Sequence, residues 1–450
     1  MSKQVKKRFI ALFSLVMLGT GTLLAQEAAY DPYASVWREG PLKKKPFPLK
    51  ETFTAWATHF LVYPFELVRW PIGETLAFIQ KYHVQDKVDW IYNQIKNYGI
   101  YPRTKGLTNF NGLGGGLYLD FVKLAGLQEE LPDLTVKGGA FWTAEHIQDY
   151  EAKILQEKIL GTGLKAGTFL RYEKRGEEHF YGIGPDTSLG DGTVYEIERT
   201  TLAGILGYDF TDTTRLEGRF AYQNVNIGNG RDGGRGAIDQ IFVFTGRQQV
   251  PGLDGDEILK WILEFEHDNR DVKDAPTRGG YQRLHFSFNK GLESSTGYFK
   301  YRGEAAQFFK LFSDRRIFGL RGVVEHNDEV EGRTVPFFDM ARLGGNGIYP
   351  RIGDVNRGFE RDRFYDESLL LLNMEYRWAI WEYRDWRMDS VLLWDEGQTF
   401  GEWSDFQFKD FAGSYGLGFR VTYGEKAVLN IEVAKSKEGT EFYVNTKAPF

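Results

Sequence analysis

Seven histidines are scattered along the chain (His59, His83, His146, His179, His267, His285 and His326), with no HExxH and no pair at metal-binding spacing. No G-x-S-x-G elbow supplies a nucleophile. GTGLKAG at 161–167 imitates a phosphate loop on paper, yet it reads as a strand-to-strand turn with no helix after it. Asp254 and Asp256 have the ligand type for calcium, although a solvated turn accounts for both. The expectation is no catalytic site, no metal and no cofactor, and an enzyme ranks a distant third among the functional classes. The chemistry that remains is a guanidinium near carboxylates. Arg357 follows a glycine-rich stretch, and Glu375 and Asp395 lie on the segments after it. A guanidinium forked onto carboxylates is among the strongest polar anchors available to a loop.

The segments around these residues show what must position them. From Ser368 onward Leu370, Leu372, Met374, Tyr376 and Trp378 fall on one side of an extended chain, and Asn373, Glu375 and Arg377 on the other. The same period of two recurs at 163–173, 214–223, 281–289 and 411–423. Periodicity alone leaves a soluble sandwich open. Upstream, Lys3, Lys6, Lys7 and Arg8 precede an apolar run to Leu18, and Ala25 closes a short stretch; residues 1–25 read as a signal peptide. No cysteine follows, so neither a lipid-anchored cysteine nor a disulfide framework is available.

No later stretch is apolar enough for a spanning helix, and mean hydropathy is −0.41. Yet aromatics make up 16% of residues, which suits strands with aromatic belts better than an ordinary globular enzyme. Strands of about ten residues, short turns alternating with long loops (226–256 and the loop before Gly358) and a terminal Phe450 favour a membrane barrel. In lipid every backbone donor must be paired, so the sheet has to close. The fold class expected is all-β: a transmembrane antiparallel β-barrel of about 16 strands over residues 106–450. Residues 26–105 read as a short helical periplasmic segment, with Phe53, Trp56, Phe60 and Leu61, then Val88, Ile91 and Ile95, at helical spacing around Pro64 and Pro71. With a net charge of −6 and no long basic run, nucleic acid is not an expected partner.

The segment NRGFERDRFYDESLLLLNMEYR (356–377) resembles the signature of the BamA and TamA superfamily of outer-membrane assembly and translocation barrels, the bacterial surface antigen family. That family carries an Arg-Gly-Phe or Arg-Gly-Tyr tip on a long loop folded back into the lumen, followed by a strand of the form N-x-E-[YF]-R. Arg357, Gly358 and Phe359 match the tip, and Asn373, Glu375, Tyr376 and Arg377 match the strand. LLWDEG, with Asp395 and Gly397, resembles the next family strand, and FYGIGPDTS (180–188) a loop of its smaller members. Five strands are expected after the loop (about 329–365), as in a sixteen-strand family barrel. The resemblance implies that the loop enters the lumen, where Arg357 pairs with Asp395, Glu375 or both. The alternative is a solvated loop arginine among ordinary lumen carboxylates.

The resemblance also implies a lateral seam, placed here between a glycine-rich first strand (112–121, with Gly114) and a last strand carrying Phe442 and Phe450. A terminal aromatic of this kind serves as an assembly signal in outer-membrane clients. One departure stands out. Family members that handle proteins carry periplasmic modules of mixed strand and helix, and residues 26–105 show no such pattern. The function expected is outer-membrane protein assembly, translocation or membrane biogenesis, with outer-membrane lipids, lipopolysaccharide and outer-membrane or secreted client proteins as partners. A passive or structural barrel with a plugged lumen is the alternative.

Overall fold

The computed structural model describes residues 84–105, 114–143, 147–230, 235–239, 249–347 and 354–450. The chain forms two compact units, Met1–Ile91 and Tyr92–Phe450. The signal-peptide reading and the helical reading of 26–83 lie outside the described residues. Helix α1 (Val84–Asn97) ends where Gly99 takes a left-handed φ of 83° and its amide bonds to the Lys96 carbonyl at 3.0 Å.

The second unit is a sheet of 17 strands, one of them only the two residues Gly236–Ala237; 17 − 1 leaves 16 among the described residues. In chain order they are β1 (Ile100–Lys105), β2 (Gly114–Asp120), β3 (Leu134–Thr143), β4 (Gln148–Gln156), β5 (Leu164–Phe180), β6 (Thr193–Thr211), β7 (Thr214–Asn229) and β8 (Asp256–Asp268), then β9 (Gly279–Gly291), β10 (Gly297–Lys310), β11 (Arg316–Glu329), β12 (Ser368–Tyr383), β13 (Trp386–Phe400), β14 (Ala412–Tyr423), β15 (Lys426–Ser436) and β16 (Thr440–Asn445). Each pairs antiparallel with the next. Two-residue turns such as 212–213, 384–385 and 424–425 close one end, and the longest loops cluster at the other.

The sheet is inside-out relative to a soluble protein. Leu284 and Phe286 of β9, Leu372 of β12 and Trp394 of β13 are exposed, whereas Ser287 and Asn289 of β9 and Asn373, Glu375 and Arg377 of β12 are buried. Alternation places apolar side chains outward and polar ones on the lumen wall, as a barrel in lipid requires. Outside, Phe220, Trp261, Phe288 and Phe299 form a row across β7 to β10, with ring centroids 4.9 to 5.4 Å apart.

Two boundaries differ from the sequence reading. β1 precedes the glycine-rich strand and begins at Ile100, inside the segment expected to be helical, because Gly99 stops the helix and releases an extended chain. Pro102 is tolerated there because β1 lies at the sheet edge, where a missing N–H forfeits no ladder bond on the open side. Gly114 therefore belongs to an interior strand, paired with both Lys105 and Thr143, and does not border a seam. The last strand stops at Asn445 instead of running to 450. Phe442 stays on its outer face, but Phe450 leaves the sheet and packs inside against Tyr281, Ala306 and Phe308, its ring 6.2 Å from that of Phe308. Phe442 and Phe450 thus do not share a face.

Candidate functional site

The long loop between β11 and β12 turns back into the lumen. Its two arms pair as a small hairpin, Ala341–Leu343 against Phe364–Asp366. Near its entry, Phe337 sits edge-on to Phe180 of β5 and Tyr195 of β6, with centroids 5.2 and 5.0 Å away. Asp354 is held by Arg302 of β10 at 2.6 and 3.0 Å and by Arg321 of β11 at 2.8 Å. Asn356 Nδ2 donates to the Ala412 carbonyl at 2.9 Å. The loop is thus gripped from widely separated strands, which is possible only if the sheet curls around it.

Arg357 occupies the centre of this grip and is fully buried. Its Nε and Nη2 donate to Oδ2 and Oδ1 of Asp395, both at 2.8 Å, in a bidentate fork, and its own amide adds a third bond to Oδ2 at 2.9 Å. Nη1 donates to Glu375 Oε1 at 2.8 Å and to Glu432 Oε1 at 3.0 Å. Arg420 of β14 donates in turn to both oxygens of Glu375, at 3.3 and 3.0 Å. The guanidinium groups of Arg357 on the loop and Arg420 on β14, with the three carboxylates of β12, β13 and β15, form one network. Buried pairs of this kind barely recover their desolvation cost, but removing one partner strands the others and costs about 3–5 kcal/mol.

Asn373 aligns the fork. Its Nδ2 donates to Asp395 Oδ1 and to the Val355 carbonyl, each at 2.9 Å, while Arg321 Nη1 donates to its Oδ1 at 2.9 Å. Gly358 has a φ of 86° and would bring a Cβ to 3.1 Å from the Lys435 backbone and 3.2 Å from Ser414, so the close turn at the tip needs glycine. Its N–H donates to Tyr443 Oη at 3.0 Å, and its carbonyl accepts from Ser436 Oγ at 2.5 Å. Phe359 is buried edge-on to Phe364, in a cluster with Leu343, Leu369 and Leu371. Gly397 makes room for the hairpin, since a Cβ there would lie 2.6 Å from Leu343.

Arg377 lies apart from this network. It points toward the short-turn end, donates to the Pro276 carbonyl and sits over the Phe308 ring at 5.6 Å. Phe442 and Phe450 are not part of the clamp either. Glu432, Arg420 and Tyr443 were missed from sequence because no local motif surrounds them; their signal was strand parity, which puts all three on lumen-facing positions. The 180–188 stretch also reaches the loop: Tyr181 Oη donates to Glu360 at 2.6 Å, and Thr187 Oγ1 accepts from Arg363 at 2.7 Å. No group of residues that could hold a metal occurs among the described residues.

A sixteen-stranded membrane barrel with a clamped loop in its lumen, five strands before the chain ends, defines a class of outer-membrane proteins. The model of the Omp85 superfamily domain matches residues 134–443, and the chain belongs to that superfamily. A comparison with curated proteins finds no match. Among solved structures the chain is similar to BamA from Haemophilus ducreyi lacking POTRA domains 1-3, at 12% identity and a TM-score of 0.56, over 77% of this chain and 69% of that one. CdiB from Acinetobacter baumannii and from Escherichia coli also match, at 11% and 12% identity and a TM-score of 0.46 each, over 77% of this chain and 58% and 61% of theirs. The BamA likeness shows the barrel fold.

Proposed function

We propose that this barrel acts in the outer membrane in protein assembly, translocation or membrane biogenesis, without enzymatic chemistry, and that the Arg357 loop keeps the barrel in its working shape. The observation that carries this is Arg357 itself: a fully buried guanidinium committed to carboxylates on three different strands. A loop that only filled space would not need to cross-link β12, β13 and β15. Membership of the Omp85 superfamily and the likeness to BamA support the reading. The exposed apolar outer wall would face outer-membrane lipids and lipopolysaccharide, and client proteins would be handled at the edges of the sheet. Among the described residues β1 pairs only with β2 and β16 only with β15, so these six-residue strands are where an opening would form.

The test is replacement of Arg357 by alanine, and separately by lysine, in cells that depend on the protein. If outer-membrane protein levels fall while the barrel keeps its heat-modifiable migration, the proposal holds. If they stay at wild-type level and only conductance across planar bilayers changes, a passive plugged barrel is correct. That second reading draws on the ion pairs that tie the loop to one side of the wall, Asp354 with Arg302 of β10 and Asp339 with Lys260 of β8.

A further inference from the structure

The loop does not fill the lumen evenly. Between it and the wall formed by β5 to β8, β10 and β11 it leaves a cavity of about 370 Å3, lined by seven basic and four acidic side chains. The balance, 7 − 4 = +3, is opposite in sign to the −6 of the whole chain. The four carboxylates are already engaged. Glu173 is paired with Arg175, Glu325 with Lys300 and Arg302, Asp339 with Lys260, and Asp354 with Arg302.

Two cations of the lining form no ion pair, with Asp339 and Glu173 acting on Arg199, and Asp362 and Glu178 on Arg342, from farther off. Arg199 of β6 and Arg342 of the loop hairpin both donate through Nη2 to one carbonyl oxygen, that of Phe338, the Arg199 bond being 3.0 Å. Arg342 is nine-tenths buried or more, and Arg199 Nε is buried without a hydrogen-bond partner. Among the described residues no carboxylate lies within ion-pair distance of either. Two guanidinium groups drawn to one neutral oxygen repel each other, and they do so in a wall where water screens them poorly. An anion bound beside them would relieve that repulsion, and planar guanidinium groups match the oxygens of a phosphate or carboxylate. The volume falls within the range of roughly 300–1,000 Å3 typical of small-molecule pockets.

We propose that this chamber binds a small solute through an oxyanion group, phosphate or carboxylate, held by Arg199 and Arg342. The purified full-length barrel in detergent is titrated with inorganic phosphate and, separately, with acetate, by calorimetry at constant ionic strength. Saturable binding of either anion is expected, and the tighter of the two identifies the group. Arg199→Gln should weaken it roughly ten-fold or more, the loss expected when a charge-assisted hydrogen bond is removed. Arg384→Gln, in a turn away from the chamber, should leave it unchanged. Heat-modifiable migration establishes that Arg199→Gln is folded. Absence of saturable binding to the wild type, or equal affinity in folded Arg199→Gln, overturns the proposal.

Discussion

At the scale of single residues, the clamp separates charge from geometry. Arg357→Ala leaves Asp395, Glu375 and Glu432 buried with one cation fewer, and should cost about 3–5 kcal/mol, read as a lower thermal midpoint of the purified barrel. Arg357→Lys keeps the charge but cannot fork onto Asp395, so it should recover only part of that loss; full recovery would mean that the charge alone matters. Gly397→Val drives a side chain into Leu343, and overpacking of this kind costs about 1–3 kcal/mol. Faster proteolysis within 341–366 is the expected readout, and a cleavage rate equal to wild type would count against the close contact. Arg357, Glu375 and Asp395 were legible because a local motif and a fork-compatible residue set pointed to them. Glu432 and Tyr443 were not, because only register and closure bring strands β15 and β16 to the loop tip.

Among the elements, the junction between loop and barrel carries its own pH dependence. Glu367, in the link to β12, is pushed up to about 7 from its usual 4.5, first by burial and then by Glu329, Asp366, Glu402 and Asp328. Asp366 is pushed up to about 6 from 3.8, by burial and by Asp405. The unfolded chain releases these protons at lower pH than the folded one does. Their contribution to stability is therefore whole below the unfolded values and is lost as pH rises through the folded ones. The thermal midpoint of Glu367→Gln, compared with wild type, should show an advantage that grows between about pH 5 and pH 8. An offset that stays constant with pH would rule this carboxyl out. The strands themselves were legible from period two. The misplaced first strand was not, since six residues containing a proline carry too little alternation to compete with the helical run before them.

For the whole molecule, the outward apolar wall makes a prediction of its own. Trp394, Leu372 and Leu284 are exposed, so replacing Leu284 by aspartate should hinder insertion into lipid vesicles while leaving the lumen contacts intact. Insertion yield after dilution from denaturant measures this, and an unchanged yield would place Leu284 outside the bilayer. The clamp also bears on the order in which the chain matures. Arg357 takes partners 18 and 38 residues downstream, but Glu432 comes 75 residues later, and Tyr443 follows Gly358 by 85. An emerging chain therefore has its central arginine made long before its last partners exist. The lumen can be completed only once the final two strands arrive, so the loop tip works as a check on completeness: a chain cut short of Glu432 would retain a cation with nowhere finished to go.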